Sequence, residues 1–363
     1  MKKPQLDTTS LRGFFRFFLA CFSSLAATAT AEPPSLDEAE LTRFIESALG
    51  ASDIPGAAVV VCTSDEVIYA KAFGVADASG SPVTVDTPFQ IGSISKSFVG
   101  LVFAQLEEEG RLSLDAPVTD SLPDLQGRFA RDWERVSIRH LLTHTSGLST
   151  FDGNRFLAWS DQGPESVALA VRTIASRRPA ATPGEVYEYS NANYLLAGAI
   201  LESVLQCDLE DIIADRIFSP LGMKNSSLGG AVASKEPIAE PFLQWFGINF
   251  SSSFRHGRAT MAPGGGLSSA ADMARYLQAL MAADGEVVSK SIAERVGATN
   301  GVPTSRGERY GLGWFGIETP GATITYHGGL VSGFVSNAAF SRELGLCVVV
   351  LTNLTGAQIA NVP

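Results

Sequence analysis

Cysteine and histidine are scarce in this chain, with four of each among 363 residues. No Cys-x-x-Cys occurs. His140 and His144 stand four apart, but they lack the glutamate of a His-Glu-x-x-His helix and a third ligand, so no metal site is expected. No other cofactor is implied. Gly-x-Ser-x-Gly is missing too, which removes the nucleophile turn of an α/β-hydrolase. Positive charge is in deficit: Lys and Arg number 27 against 38 Asp and Glu, a formal net charge of −11. Nucleic acid and anionic membranes need a positive field, so neither is expected as the main partner. The chain shows no internal repeat and no low-complexity segment.

The N-terminus has the layout of an export signal. Lys2, Lys3, Arg12 and Arg16 precede an apolar run from Phe17 to Ala27, which is shorter than the roughly 20 residues of a membrane span. Ala29-Thr30-Ala31 then supplies a small-residue cleavage site. Residues 1–31 are therefore expected to be removed, leaving a secreted or periplasmic protein. A lipoprotein signal at Cys21 fits less well, because the apolar run continues past the cysteine, and an uncleaved anchor is a further alternative. After cleavage Cys62, Cys207 and Cys347 remain. Cys62 and Cys347 lie in apolar, strand-like runs and read as small buried side chains rather than as a disulfide.

Residues 36–50 have helical periodicity. Residues 57–63 and 66–75 read as a strand pair turning at Ser64-Asp65. Thr87–Gln90 leads into a helix with one apolar face made by Phe98, Leu101, Val102 and Leu106, and Gly110 ends it. From 111 to 259 helical stretches alternate with Pro/Gly loops. Near 263 a Gly-rich loop precedes a helix that Ser268 or Ser269 could cap. Four strand-like runs follow, YGLGWFGIE, ATITYHG, SGFVSNAAFS and LCVVVLTN, joined by short turns as in an antiparallel meander. The expected layout is an α+β sheet domain from 32–110 and 260–363, interrupted by a mostly helical insert at 111–259. A cleft would lie at their boundary.

Three short motifs could carry chemistry. Ser93-Ile94-Ser95-Lys96 places a hydroxyl and an amine one helical turn apart at a helix start. A serine needs a base to become a nucleophile, and a lysine can be that base if burial lowers its pKa. Tyr189-Ser190-Asn191 sits at a loop–helix junction, where a phenol could shuttle a proton if a cation lowered its pKa. His327-Gly328-Gly329 ends a strand, and a histidine there could bind a carboxylate or steer a proton. Read singly, each has a plain structural explanation: a helix cap with a solvated lysine, a packing tyrosine, an exposed turn histidine.

Taken in this order and spacing, the three resemble the Ser-x-x-Lys, Tyr-x-Asn and Lys-Thr-Gly or His-x-Gly set of the class C β-lactamase superfamily. That superfamily includes D-alanyl-D-alanine carboxypeptidases, D-aminopeptidases and penicillin-binding esterases. HLLTHTSGL (140–148), IFSPLGMKNSSL (217–228) and YGLGW (310–314) look like further blocks of it, and the likeness spans about 36–354. The resemblance implies a β-lactamase/transpeptidase-like fold, an antiparallel sheet flanked by helices. It implies acylation of Ser93, with Lys96 and Tyr189 sharing the proton transfers. Asn191 would hold the substrate amide, and His327, Gly328 and Gly329 would line the substrate strand. The N–H groups of Ser93 and Leu330 would form the oxyanion hole. His140 and His144 would be structural members of a loop near the site.

The substrate implied is a small-molecule or peptide ester or amide. His327 replaces the lysine that favours a β-lactam carboxylate, which points away from efficient β-lactam hydrolysis. The alternatives are a penicillin-binding member of low turnover and a non-catalytic scaffold. Only ten residues follow Asn353, where family members carry a long helix. That helix is expected to be incomplete, leaving an apolar sheet face for a partner or for self-association.

Overall fold

Two apolar runs from opposite ends of the chain, β1 (Gly56–Cys62) and β13 (Leu346–Thr352), lie side by side and are buried throughout. Strands covered on both faces have no polar face to alternate, so GAAVVVC and LCVVVLT read as continuous apolar runs. The computed structural model describes residues 37–154, 163, 165–229, 237–245, 247–252, 257–297 and 301–355. The expected leader 1–31 and the chain end after Thr355 lie outside them.

β1 turns back into β2 (Val67–Gly74), the expected strand pair. The expected four-run meander is present with one difference: YGLGWFGIE turns at Leu312-Gly313, both at positive φ, and makes two strands, β9 (Arg309–Gly311) and β10 (Trp314–Thr319), followed by β11 (Ala322–Val331), β12 (Phe334–Ser341) and β13. With the short β8 (Val302–Pro303) they complete an eight-stranded antiparallel sheet in the order β2-β1-β13-β12-β11-β10-β9-β8. Helix α1 (Glu38–Ala51), capped by the Asp37 side chain, lies on the outer face with Leu41, Ile45 and Leu49. Val59, Val61, Val348 and Val350 on that face are buried. The apolar face that was expected to lie open is therefore covered at these positions.

The inner face carries Ala58, Val60, Val349 and Leu351 into the main core, which also takes in α2 (Ser95–Glu108). Sequence periodicity gave α2 one buried face, yet every residue from Ser95 to Leu106 is buried. The helix is wedged between sheet and insert, so its polar positions are enclosed as well. It also starts later than expected. Phe89–Gly92 forms a strand, β3, which pairs with β7 (Gly266–Ser268), and Ser93-Ile94 makes the turn into the helix. β4 (Ser227–Leu228) completes that small sheet.

Between 111 and 259 the described residues include α3 (Ile138–Leu142), α4 (Thr150–Asn154), α5 (Glu165–Ala175) and α6 (Asn191–Leu205). They also include a hairpin, β5 (Phe242–Trp245) and β6 (Ile248–Ser251), which joins β14 (Leu354–Thr355). After the insert, α7 (Met261–Gly264) leads to β7, and α8 (Ala270–Ala282) is capped by Ser269. No helix among the described residues is long and apolar enough to cross a membrane.

The cysteines correct the sequence reading. Cys62 and Cys347 face each other across β1 and β13 with Cα atoms 5.1 Å apart, and they form a disulfide. Strand character alone could not show that the two runs are neighbours in register, and that neighbourhood makes the bond possible.

Candidate active site

Ser93 sits where β3 turns into α2, and the approach of β11 fixes that turn. Gly92 adopts φ +52°, a left-handed conformation that glycine tolerates best. A Cβ on Gly92 would lie 3.0 Å from the Leu330 nitrogen and 3.2 Å from Gly329 Cα. Gly329 is just as tightly held: its Cβ position is 2.0 Å from the Ile91 carbonyl oxygen. Two glycines thus let β3 cross β11 in contact, which brings Ser93 beside Leu330. The Leu330 side chain is exposed. β11 does not end at the glycines, as the sequence suggested, but runs through them to Val331.

Lys96 is fully buried within the first turn of α2. Its Nζ lies 3.0 Å from Ser93 Oγ, 2.9 Å from Asn191 Oδ1 and 2.6 Å from the Pro263 carbonyl oxygen. Burial pushes its pKa well below the usual lysine range, because the enclosed site penalises the ammonium. A neutral amine has two protons and one lone pair. The Pro263 carbonyl and Asn191 Oδ1 can only accept, so they take the two protons. Ser93 can donate, so the lone pair is left facing the serine hydroxyl.

The Tyr189 ring lies 4.9 Å from Lys96 Nζ, and its hydroxyl is hydrogen-bonded with Ser93. The condition set from the sequence for a proton shuttle, a cation that lowers its pKa, is not met. Burial dominates and pushes the phenol up, with the Ser93 hydrogen bond opposing only in part. Tyr189 therefore keeps its proton at neutral pH. Asn191 opens α6. Besides accepting from Lys96, it donates from Nδ2 to Asn154 Oδ1 at 3.2 Å.

His327 is buried, not exposed as a turn histidine would be. Its Nδ1 lies 2.7 Å from the Gly328 carbonyl oxygen, an acceptor, so Nδ1 carries the proton. Nε2 faces the Tyr310 hydroxyl at 3.4 Å. Burial, aided by the nearby Lys96, lowers its pKa to about 3. The carboxylate-binding role considered from the sequence does not suit this ring, which is neutral and turned toward Tyr310. Gly328 is half-buried next to it, and Gly329 forms the crossing described above.

The fold thus brings Ser93, Lys96, Tyr189, Asn191, His327, Gly328, Gly329 and Leu330 to one locus. Sequence reasoning missed the Pro263 carbonyl, Asn154 and Tyr310. It also treated His144 only as part of a nearby loop, whereas the His144 ring lies 4.3 Å from that of Tyr189. A backbone carbonyl has no sequence signature. Tyr310 was visible as one residue of a strand-like run and of the YGLGW block, with no role attached to it. No group of three or more metal-ligating side chains occurs among the described residues.

A family model described as Beta-lactamase matches residues 41–361. Esterase EstB of Burkholderia gladioli is 31% identical, over 91% of this chain and 94% of that protein. The octameric penicillin-binding protein homologue from Pyrococcus abyssi aligns with a TM-score of 0.79 at 30% identity, covering 90% of this chain and 76% of that one. A D-stereospecific amidohydrolase from Streptomyces sp. aligns with a TM-score of 0.71 at 25% identity, covering 89% and 97%. The α+β class and the superfamily expected from the sequence are those of these proteins.

Proposed function

This chain belongs to the Beta-lactamase family and is a hydrolase of that superfamily, and we propose that it works through an acyl-enzyme at Ser93. The observation that carries the proposal is the set of three contacts around Lys96 Nζ, which leaves the lone pair of a neutral amine facing Ser93 Oγ. Lys96 takes the hydroxyl proton as Oγ bonds to the substrate carbonyl carbon. The oxygen that gains the charge is held by the N–H groups of Ser93 and Leu330. Tyr189, a phenol, gives its proton to the leaving oxygen or nitrogen and recovers one from the Lys96 ammonium. Water then attacks the acyl-serine and restores the hydroxyl. Asn191 donates to the acyl amide where the substrate has one.

The substrate we propose is an ester or amide that does not rely on a carboxylate for binding. The neutral His327 supports this, since it offers no fixed cation beside Leu330. Charge-assisted hydrogen bonds contribute about 1.5–3 kcal/mol, so a β-lactam forfeits roughly 10- to 100-fold in affinity here. We also propose that the protein is exported, with its leader removed after Ala31. The Cys62–Cys347 disulfide supports an oxidising compartment.

The test is labelling with a fluorophosphonate and a fluorescent penicillin, followed by mass spectrometry of the labelled peptide. Turnover is measured on p-nitrophenyl esters, D-alanyl peptides and nitrocefin. Label on Ser93, ester or amide turnover above that of nitrocefin, and loss of both in Ser93→Ala are expected. No label at Ser93 from either probe overturns the proposal. Stable penicillin label without turnover selects the low-turnover alternative.

A further inference from the structure

His144 is a buried histidine with a left-handed backbone, φ +57°, packed against Tyr189. Non-glycine residues enter that region at a cost, so the surrounding contacts must hold it there. Those contacts lead to the Tyr189-Ser190-Asn191 segment. The His144 carbonyl accepts from the Glu188 N–H at 2.9 Å. Its Nδ1 lies 3.3 Å from the Ser190 nitrogen and 3.0 Å from Asn193 Nδ2.

The direction of these bonds follows by elimination. A backbone N–H can only donate, so Nδ1 accepts from Ser190. Ser146 Oγ receives the Leu148 N–H, which leaves its own proton for Asn193 Oδ1 at 2.5 Å. Asn193 Nδ2 is thus the end that faces His144, and it donates too. Nδ1 carries no proton and the neutral ring holds its hydrogen on Nε2. Among the described residues Nε2 has no hydrogen-bond partner, and it sits within a group of tyrosine rings, those of Tyr189, Tyr194 and Tyr310. The arrangement is the opposite of His327, whose proton is on Nδ1.

We infer that His144 is a positioning residue for the proton donor and the amide-binding asparagine, holding both through the lone pair of Nδ1. Ser190 lies between Tyr189 and Asn191, so one acceptor on its N–H sets both neighbours. Ser190 and Asn193 are fully buried, and without that acceptor two enclosed donors lose their partner. The turn would then shift to find another, moving the Tyr189 hydroxyl from Ser93 and Asn191 Oδ1 from Lys96. The kinetic part of this inference rests on the acyl-serine reading. The tautomer does not.

Two measurements test it. In protein labelled with 15N-histidine, long-range proton–nitrogen correlation spectra assign the tautomer, with His144→Asn identifying the resonance. The Nε2–H form is expected for His144, and the Nδ1–H form there overturns the inference. The second measurement compares variants on the best ester substrate. Asparagine can place Oδ1 where Nδ1 stands, whereas phenylalanine keeps the ring and removes the acceptor. His144→Phe is expected to lose roughly 10- to 100-fold in kcat with KM within a few fold. His144→Asn is expected to recover most of that loss. If His144→Phe does not fold, His144→Gln replaces it, because its oxygen reaches toward the Nε2 position instead. Equal kcat in the acceptor-bearing and acceptor-lacking variants overturns the inference. An inactive wild type overturns the acyl-serine reading instead, and the tautomer still decides the positioning role.

Discussion

The Lys96 amine lies 3.0 Å from the Ser93 hydroxyl, and its other two hydrogen bonds end on groups that can only accept. On the acyl-serine reading, this relationship gives a helix-start serine its own base. Replacing Lys96 by methionine keeps the bulk and removes the lone pair, so kcat for ester hydrolysis is expected to fall roughly 10²–10⁴-fold. Arginine is expected to do no better, because it stays protonated. The acid limb of kcat/KM reports the base in the free enzyme. With the Lys96 pKa pushed well down by burial, activity is expected to persist at neutral pH. The phenol of Tyr189 is pushed up, so its ionisation is not expected to end activity below pH ~10. A pH–rate profile that rises only near the ordinary lysine pKa overturns this account.

His327 gives a pH-dependent stability whose sign can be worked out. Its pKa falls from 6.5 in the unfolded chain to about 3 when folded. Between those values the unfolded state binds the extra proton, so stability drops as pH falls through that window. Above pH 6.5 the contribution is complete. Full development corresponds to about 5 kcal/mol. His144 is displaced in the same direction by its burial and by Lys96, and adds to the slope. Thermal or urea midpoints measured from pH 7 downward are expected to fall less steeply for His327→Gln than for the wild type. Parallel slopes contradict the buried, neutral imidazole.

Much of the site could be read from the sequence because its parts are side chains in fixed local spacings. Ser93 and Lys96 are one helical turn apart, and Tyr189-Ser190-Asn191 is a continuous tripeptide. The strand runs were legible for a similar reason: β1 and β13 are buried on both sides, so their apolar character is unbroken. What was not legible depends on contacts distant in sequence. One of the two acceptors on the Lys96 amine is a main-chain oxygen 167 positions away. The enclosure that pushes the Tyr189 phenol up comes from packing of distant segments, which the tripeptide alone does not show. Cys62 and Cys347 are 285 positions apart, and only the pairing of their strands makes them partners.

That pairing carries its own consequence. A bond between the second described element and nearly the last one closes almost the whole chain. Disulfides typically stabilise by about 2–4 kcal/mol, chiefly by restricting the unfolded state. Protein made under oxidising conditions is expected to have an intact mass lower by two hydrogens than its reduced form. Reduction, or the Cys347→Ala substitution, is expected to lower the urea midpoint with little change in kcat, since neither sulfur is in the active site. Cys207, the free and exposed cysteine among the described residues, serves as the control: Cys207→Ala should leave mass shift and midpoint unchanged. Two free thiols at 62 and 347 in oxidised protein would rule the bond out.

The crossing of β3 over β11 offers the sharpest geometric test of the oxyanion site. At Gly329 an added methyl would stand 2.0 Å from the Ile91 carbonyl oxygen and 2.2 Å from Ser336 Oγ. The hydroxyl can turn aside, but the Ile91 carbonyl belongs to the strand that delivers Ser93, so the strands themselves must separate. Ser336 Oγ also ties that carbonyl to β12 at 2.8 Å, which opposes an easy retreat. Gly329→Ala is therefore expected to spread Ser93 and Leu330 apart. Losing one oxyanion donor costs roughly 10²–10³ in kcat, and overpacking costs about 1–3 kcal/mol in stability. KM is expected to move little, because the charge on the oxygen develops only as the bond forms. Gly50→Ala is the matched control: nothing lies within 4 Å of its added Cβ, and wild-type kcat is expected. Wild-type kcat in a folded Gly329→Ala variant would place the oxyanion site elsewhere than between these two strands.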